Sequence, residues 1–248
     1  VIKDSYSLGF NWEKNISKRV HLVVIGDHNN QPHFCNLYIN YHFYWFKKNK
    51  FKFLKKKKCK KLIGPKYTII RDFNSKTKIK FKYKTILIYM GGADKNSYMF
   101  KFIKIFSNKD FNNYQKIFIL NDNHLKNKNL LKNLDKIKNT KVFKNKIKNF
   151  HQYLKSSDLC ISAAGHTMIE QLALNKNCLI VAQNDIQKKI LNSLSKKKSI
   201  MPITNLKKIN LKLINNFLYK KKPKATYVNK FGKYLIYNKI ISQYKNNE

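Results

Sequence analysis

The sequence predicts an α/β protein organised on parallel sheets, and three observations carry that expectation. From residue 85 onward, short β-branched or apolar runs alternate with segments of helical spacing. The run at 159–161 is apolar at every position, as in a parallel strand covered on both faces. Two of the strand-like runs end in side chains of small bulk, Gly91-Gly92-Ala93-Asp94 and Ser162-Ala163-Ala164-Gly165, at the sheet edge where such folds take ligands.

Taken in order, residues 1–6 read as the end of a strand that carries Asp4 and Tyr6 into a loop, and 11–18 as a short helix holding Trp12 and Glu13. The β-branched run 21–25 is a strand with Gly26-Asp27 at its carboxyl end. A turn falls at 29–32 and a short strand at 37–40. The aromatic, Lys-rich stretch 41–60 has no clean period and receives no assignment. Residues 61–65 form a strand and turn leading to Tyr67 and Arg71, and the polar, basic segment 74–84 is a linker. Strands are then expected at 85–89, 116–120, 142–143, 159–161 and 178–181. Helices are expected at 97–106, near 125–134, at 150–155, after Thr167, and at 186–196, 206–218 and 231–244.

Residues 158–170 hold the most informative pattern: a buried strand, a turn of small residues and a new helix. Thr167 is an expected N-cap, and Glu170 completes a capping-box pattern. Gly165 is expected to use backbone freedom closed to other residues. A helix start of this kind attracts phosphate through its N–H groups and dipole, although an ordinary capped helix has the same pattern. Gly91-Gly92 alone is a weak signal. It lacks the spaced glycines of a dinucleotide fingerprint and the Gly-Lys-Ser/Thr of a Walker A loop, so nicotinamide cofactors and ATP are not expected. Two such corners on one edge can direct backbone N–H groups at a diphosphate without a metal. Glu170 is suited to a ribose diol, to capping, or to both.

Composition narrows the partners. Hydrophobic residues make up 43% of 248, enough for a real core. The net charge of +41 suggests nucleic acid. Yet Arg19 and Arg71 are the only arginines, and an Asn-, Ile- and Lys-rich mixture points to codon bias. A groove built to read bases favours Arg forks. The lysine runs at 55–58, 196–198 and 220–222 are read as solvated faces or loops, and no specific nucleic acid is expected. Cys35, Cys59, Cys160 and Cys178 show no zinc or redox spacing and read as small apolar residues in a reducing, cytoplasmic setting. No apolar run reaches the ~18 residues of a membrane span. The chain opens at Val1 inside a strand-like run, so sequence upstream of it is expected.

Several stretches together resemble a known family. Residues 86–94, residues 158–174 with their Ser-Ala-Ala-Gly-His-Thr core, and Gln187 resemble the nucleotide-binding domain of the UDP-sugar hydrolase of pseudaminic acid biosynthesis. Asp4-Ser5-Tyr6 with Trp12-Glu13, Asp27, Pro32-His33 with Cys35, and Gly64 to Tyr67 through Arg71 and Phe73 resemble its first domain, in the family's order. The resemblance implies a glycosyltransferase-B-like fold: an incomplete Rossmann-like first domain (1–74), a linker (75–84), a Rossmann-like UDP-binding domain (85–220) and a C-terminal helix (221–248). It implies hydrolysis of a UDP-linked 2,4-diacetamido-2,4,6-trideoxyhexose to UDP and free sugar by a monomer that needs no metal or cofactor. A UDP-aminosugar glycosyltransferase of the same fold, or a fragment that only binds, is the alternative. The residues implied for UDP are Gly91, Gly92, Ala93, Asp94, Ser162, Ala163, Ala164, Gly165, His166, Thr167 and Glu170. Those implied for the sugar are Asp4, Tyr6, Tyr67, Arg71, Asn184 and Gln187. The family's general-base His falls upstream of Val1, so no catalytic residue is assigned within the chain. His33 matches a family His of unassigned role, and as a lone His it reads first as a structural residue. His166 stands where the family has Ser and either donates to phosphate or fills the turn. Ile186 departs from the family's Asn-Gln pair, and Gly26 from an Asp.

Overall fold

The structure is a computed structural model that describes residues 1–26, 31–42, 51–73, 78–92, 94, 96–144, 147–194, 200–203, 206–219 and 228–245. The predicted turn at 29–32, the residues Asp27 and Ala93, and parts of the 41–60 and 74–84 stretches lie wholly or partly outside the described residues. The chain divides into two compact units, Val1–Arg71 with Tyr227–Glu248, and Asp72–Thr226. This is an α/β architecture of parallel sheets, the predicted class.

In the first unit, β1 (Ile2–Lys3), β2 (Val23–Ile25), β3 (Leu37–Asn40) and β4 (Lys60–Ile63) form a parallel sheet in that order. Its registers pair Ile2 with Val23, Val23 with Leu37 and Leu37 with Lys60. Helix α1 (Phe10–Ile16) connects β1 to β2. Trp12 and Ile16 of α1 pack with Leu22, Val24, Cys35 and Tyr38. Val23, Leu37, Ile39 and Leu62 form a separate cluster with Ile236, so the alternating side chains of the strands feed two cores. Ile236 belongs to the last helix, α9 (Gly232–Lys245), which therefore completes this unit although it follows the second in sequence. Gly232 permits the fit: a Cβ there would lie 2.4 Å from the Thr68 carbonyl oxygen.

The second unit contains β5 (Thr85–Tyr89), α2 (Tyr98–Phe106), β6 (Gln115–Leu120), α3 (Asp122–Leu125), α4 (Lys128–Leu134), β7 (Thr140–Lys144), α5 (Phe150–Ser156), β8 (Leu159–Ala163), α6 (His166–Ala173), β9 (Asn177–Val181), α7 (Asp185–Leu194), β10 (Ile200–Ile203) and α8 (Leu211–Leu218). The strands are parallel in the order β10-β9-β8-β5-β6-β7. Read outward from β5, this is the doubly wound order in which the chain reverses direction between its first and fourth strands. Ile86 and Ile88 enter one core with Phe102, Phe106 and Phe118, while Leu87 enters another with Ile117, Leu154 and Cys160. Both faces of β5 are thus covered, which is why its sequence is apolar without alternation.

Three expectations are corrected. The helix near 125–134 is two helices, because the Asn127 side chain accepts from Leu130 N and starts α4 afresh. Strand β10 was not anticipated in Ile-Met-Pro-Ile. Pro202 is tolerated because β10 is an edge strand with β9 as its one neighbour. The capping box at Thr167 and Glu170 does not form: α6 begins at His166 with Gly165 at its N-cap and no side-chain cap.

Candidate functional site

The reversal point of the second sheet lies between β5 and β8, and both small-residue corners leave the sheet there. Gly91 and Gly92 follow β5, and Ala164 and Gly165 follow β8. Gly91, Gly92 and Gly165, together with Ala163, His166, Thr167, residues of the β5 end, and Gln183 and Gln187 beyond β9, line a cavity of about 330 Å³. That volume falls at the small end of ligand sites.

The corners are bare. A Cβ at Gly91, Gly92 or Gly165 would meet nothing within 4 Å. Gly91 has φ +79°, a left-handed conformation that favours glycine. Gly165 differs from expectation: at φ −117° and ψ −156° it is extended, open to any residue, so its missing side chain provides room and not backbone freedom. Gly165 at the N-cap offers α6 no side-chain acceptor, and His166 and Thr167 of its first turn line the cavity, at the end of the helix where its dipole is positive.

A brace beneath the first corner was not anticipated. Asn121 Nδ2 donates to the carbonyls of Gly91 (3.0 Å) and Gly92 (2.9 Å). Asn121 N donates to His124 Nδ1 at 3.1 Å, which leaves the proton on Nε2, and that nitrogen meets Asp94 Oδ2 at 2.8 Å. Asp94 accepts in addition from Tyr98 N and Met99 N, capping α2. Asp94, expected to contact a ligand, is therefore 6% exposed and engaged inside the protein. Its own backbone is left-handed, at φ 37°.

The second corner also departs from its predicted extent. Ser162 and Ala163 belong to β8, paired with Ile180 and Val181. Ser162 Oγ is buried within hydrogen-bond distance of Gln171 Oε1 (3.1 Å) and of the Ala163 carbonyl (3.2 Å), which share its one proton, and it does not line the cavity. Ala164 is 1% exposed and its N–H donates to Val181 O, while Gly165 N–H donates to Ala163 O. The amides of these two residues are thus held within the protein, and beyond them His166 and Thr167 at the start of α6 line the cavity. Glu170, 2% exposed, also stands apart from the cavity lining.

Beyond β9, Asn184 Oδ1 accepts from Gln187 N and caps α7. Gln187 Oε1 accepts from Gln183 N, and Gln183 Nε2 donates to Met90 O at 2.7 Å, tying the ends of β9 and β5 together. Gln187 lines the cavity; Asn184 supports it from α7 without lining it. Gln183 was missed, although its place at a strand's carboxyl end was the available signal.

The first unit has its own cavity, about 100 Å³, where the carboxyl ends of β1, β2 and β3 come together. Asp4, Tyr6, Gly26, His33 and Tyr41 line it. Tyr67 and Arg71 do not: Tyr67 packs against the Ile236 cluster, and Arg71 is exposed. Beside this cavity lies a buried cluster. Glu13, fully buried on α1, meets Lys3 Nζ and His33 Nδ1 through Oε1 and accepts from Phe34 N through Oε2. Burial alone pushes the Glu13 carboxyl up. Hydrogen bonds from His33, Lys3 and Phe34 outweigh it and hold the group below its ordinary value. Cys35 and Cys59, distant in sequence, bring their sulfurs to 3.7 Å, contrary to the isolation read from their spacing.

Among the described residues, no cluster of three or more His, Cys, Asp or Glu side chains is arranged to hold a metal ion, and no helix is long and apolar enough to cross a membrane.

No protein-family model matches the chain. An uncharacterized protein of Methanocaldococcus jannaschii, MJ1062, is 27% identical over 225 residues, covering 84% of this chain and 45% of its own length. The chain therefore spans about half the length of the curated relative it matches. Among solved structures, the glycosyltransferase SnogD of Streptomyces nogalater superposes with a TM-score of 0.55 at 13% identity, covering 83% of this chain and 67% of SnogD. MurG of Acinetobacter baumannii gives 0.53 at 10% identity over 83% of this chain and 66% of its own. The spinosyn rhamnosyltransferase SpnG, complexed with thymidine diphosphate, gives 0.52 at 12% over 88% and 67%. At these identities the likeness is one of fold, and that fold is glycosyltransferase-B-like.

Proposed function

We propose that the second unit binds the diphosphate of a UDP-sugar and that the whole protein hydrolyses a UDP-linked 2,4-diacetamido-2,4,6-trideoxyhexose to UDP and free sugar. The observation that carries the binding is the pair of bare corners at the sheet's reversal point, opening on one cavity at a helix start whose N-cap is a glycine. A diphosphate brings concentrated negative charge. Helix N–H groups and a positive dipole end stabilise it without a metal, and the same groups stabilise the charge that develops on a departing UDP. Gly91, Gly92, Gly165, His166 and Thr167 are the UDP residues in this reading, with Asp94 and Asn121 holding the first corner in shape. Ser162, Ala164 and Glu170 act from beneath. Asp4 and Tyr6, which line the cavity of the first unit, are assigned to the sugar on the sequence resemblance alone.

The sequence resemblance supports hydrolysis, and the fold alone is equally compatible with transfer of the sugar to an acceptor. We place the protein in the cytoplasm as a monomer. The test is incubation of the full chain with the diacetamido-trideoxy UDP-sugar, with products separated by mass. Release of UDP with the free sugar supports the hydrolase. UDP release only when an acceptor is added, with the sugar recovered on it, replaces hydrolysis by transfer. Absence of any UDP binding removes both.

A further inference from the structure

We infer that His33 is a proton-transfer residue of the cavity in the first unit, oriented by Glu13. The inference deepens the reading above and rests on it for the nature of the ligand. The cavity has the placement of a site: Asp4 and Tyr6 follow β1, Gly26 follows β2 and Tyr41 follows β3, all at the carboxyl edge of a parallel sheet. About 100 Å³ accommodates several waters, at roughly 10–15 Å³ each, or the hydroxyl-bearing end of a ligand.

His33 is fixed in plane and in tautomer. Its ring centroid lies 5.3 Å from that of Tyr38 and 6.0 Å from that of Phe53. Its Nδ1 lies 2.8 Å from Glu13 Oε1. Glu13 is held ionised by its partners, and an ionised carboxylate only accepts, so the proton of a neutral imidazole resides on Nδ1. Nε2 then carries the lone pair. Among the described residues it has no hydrogen-bond partner and is not one of the buried polar atoms shut off from the surface, and the residue lines the cavity. Lys3 already balances the Glu13 charge, so a neutral imidazole leaves no uncompensated charge in the interior.

A carboxylate on one nitrogen and an open lone pair on the other is the arrangement that accepts a proton from an O–H group. When a water or hydroxyl in the cavity gives its proton to Nε2, the electron pair of the broken O–H bond stays on the oxygen. Glu13 then stabilises the imidazolium. The sequence resemblance places a general-base His upstream of Val1. His33 is a separate imidazole within this chain.

The experiment is long-range ¹H–¹⁵N correlation of histidine side chains in the ¹⁵N-labelled full chain at alkaline pH. His33 is assigned by the signals lost in His33→Gln, or by sequential assignment of the wild type if that variant does not fold. The expected result is an Nδ1–H tautomer whose Nε2 signal moves when N-acetylglucosamine is added. UDP, added separately, moves His166 in the second unit. A proton on Nε2, or an Nε2 signal unmoved by saturating sugar, overturns the inference. Loss of the UDP response alone removes the nucleotide reading and leaves the His33 result standing.

Discussion

Gly165→Ala separates a packing role from a ligand role at the second corner. The backbone there is extended, and a Cβ would meet nothing within 4 Å, so the methyl group causes no clash in the free protein. The folding cost is the weaker N-cap of alanine, about 0.5–1 kcal/mol. In a chain of this size that lowers the melting temperature by about 1–4 °C. The effect on UDP is much larger if a phosphate approaches the start of α6. A methyl group in its path removes charge-assisted hydrogen bonds that contribute about 1.5–3 kcal/mol, and affinity falls about ten- to a hundredfold. Thermal melts and isothermal titration with UDP read the two quantities on the same samples. Unchanged UDP affinity in a folded variant refutes the proposed phosphate path. A drop in melting temperature beyond 10 °C refutes the open geometry of the corner.

The other predictions concern the support of the site and the core. Asp94→Ala removes the cap of α2 and the acceptor of His124, costing about 2–4 kcal/mol; urea denaturation measures this, and UDP affinity falls with it because the Gly91-Gly92 turn loses its brace. Lys116 is fully buried, donates to Phe111 O, and is pushed down by burial to about 8 from an ordinary 10.5. The unfolded chain binds the extra proton between those values, so the Lys116 contribution to stability rises with pH from about 8 to 10.5. Lys116→Met flattens that rise and stabilises the protein at neutral pH by about 3 kcal/mol at most, measured as urea midpoints across pH. The hydrogen bond from Cys35 lowers the Cys59 thiol against the effect of burial, with Lys61 and Lys56 adding to it, and Cys35 is pushed up. Mass-resolved iodoacetamide labelling modifies Cys59 first, with Cys160 and Cys178, both fully buried, reacting after unfolding.

The parts of this fold visible in the sequence are those set by local composition. Runs such as Thr85-Ile86-Leu87-Ile88-Tyr89 specify a strand because both faces are buried, and the glycines after it specify a turn at the ligand edge. The parts not visible depend on partners distant in the chain. Nothing around Asp94 indicates that His124, 30 residues later, occupies its carboxylate. Nothing around Glu13 indicates Lys3 and His33. Cys35 and Cys59 meet only because β3 and β4 are neighbours. The capping box failed for a subtler reason. The pairing of Ala163 with Val181 carries β8 further than its run of apolar bulk suggests, so just Ala164 and Gly165 turn the chain before α6 begins. Pro202 lowered the strand propensity of a segment whose edge position makes that proline harmless.

The most direct test is a UDP titration of the ¹⁵N-labelled full chain, followed by backbone amide shifts. The account predicts that the amides of Gly91, Gly92, Gly165, His166 and Thr167 move together along one saturable curve, and that inorganic phosphate moves the same set more weakly. Shifts confined to surface lysine segments, or motion at one corner without the other, contradict it.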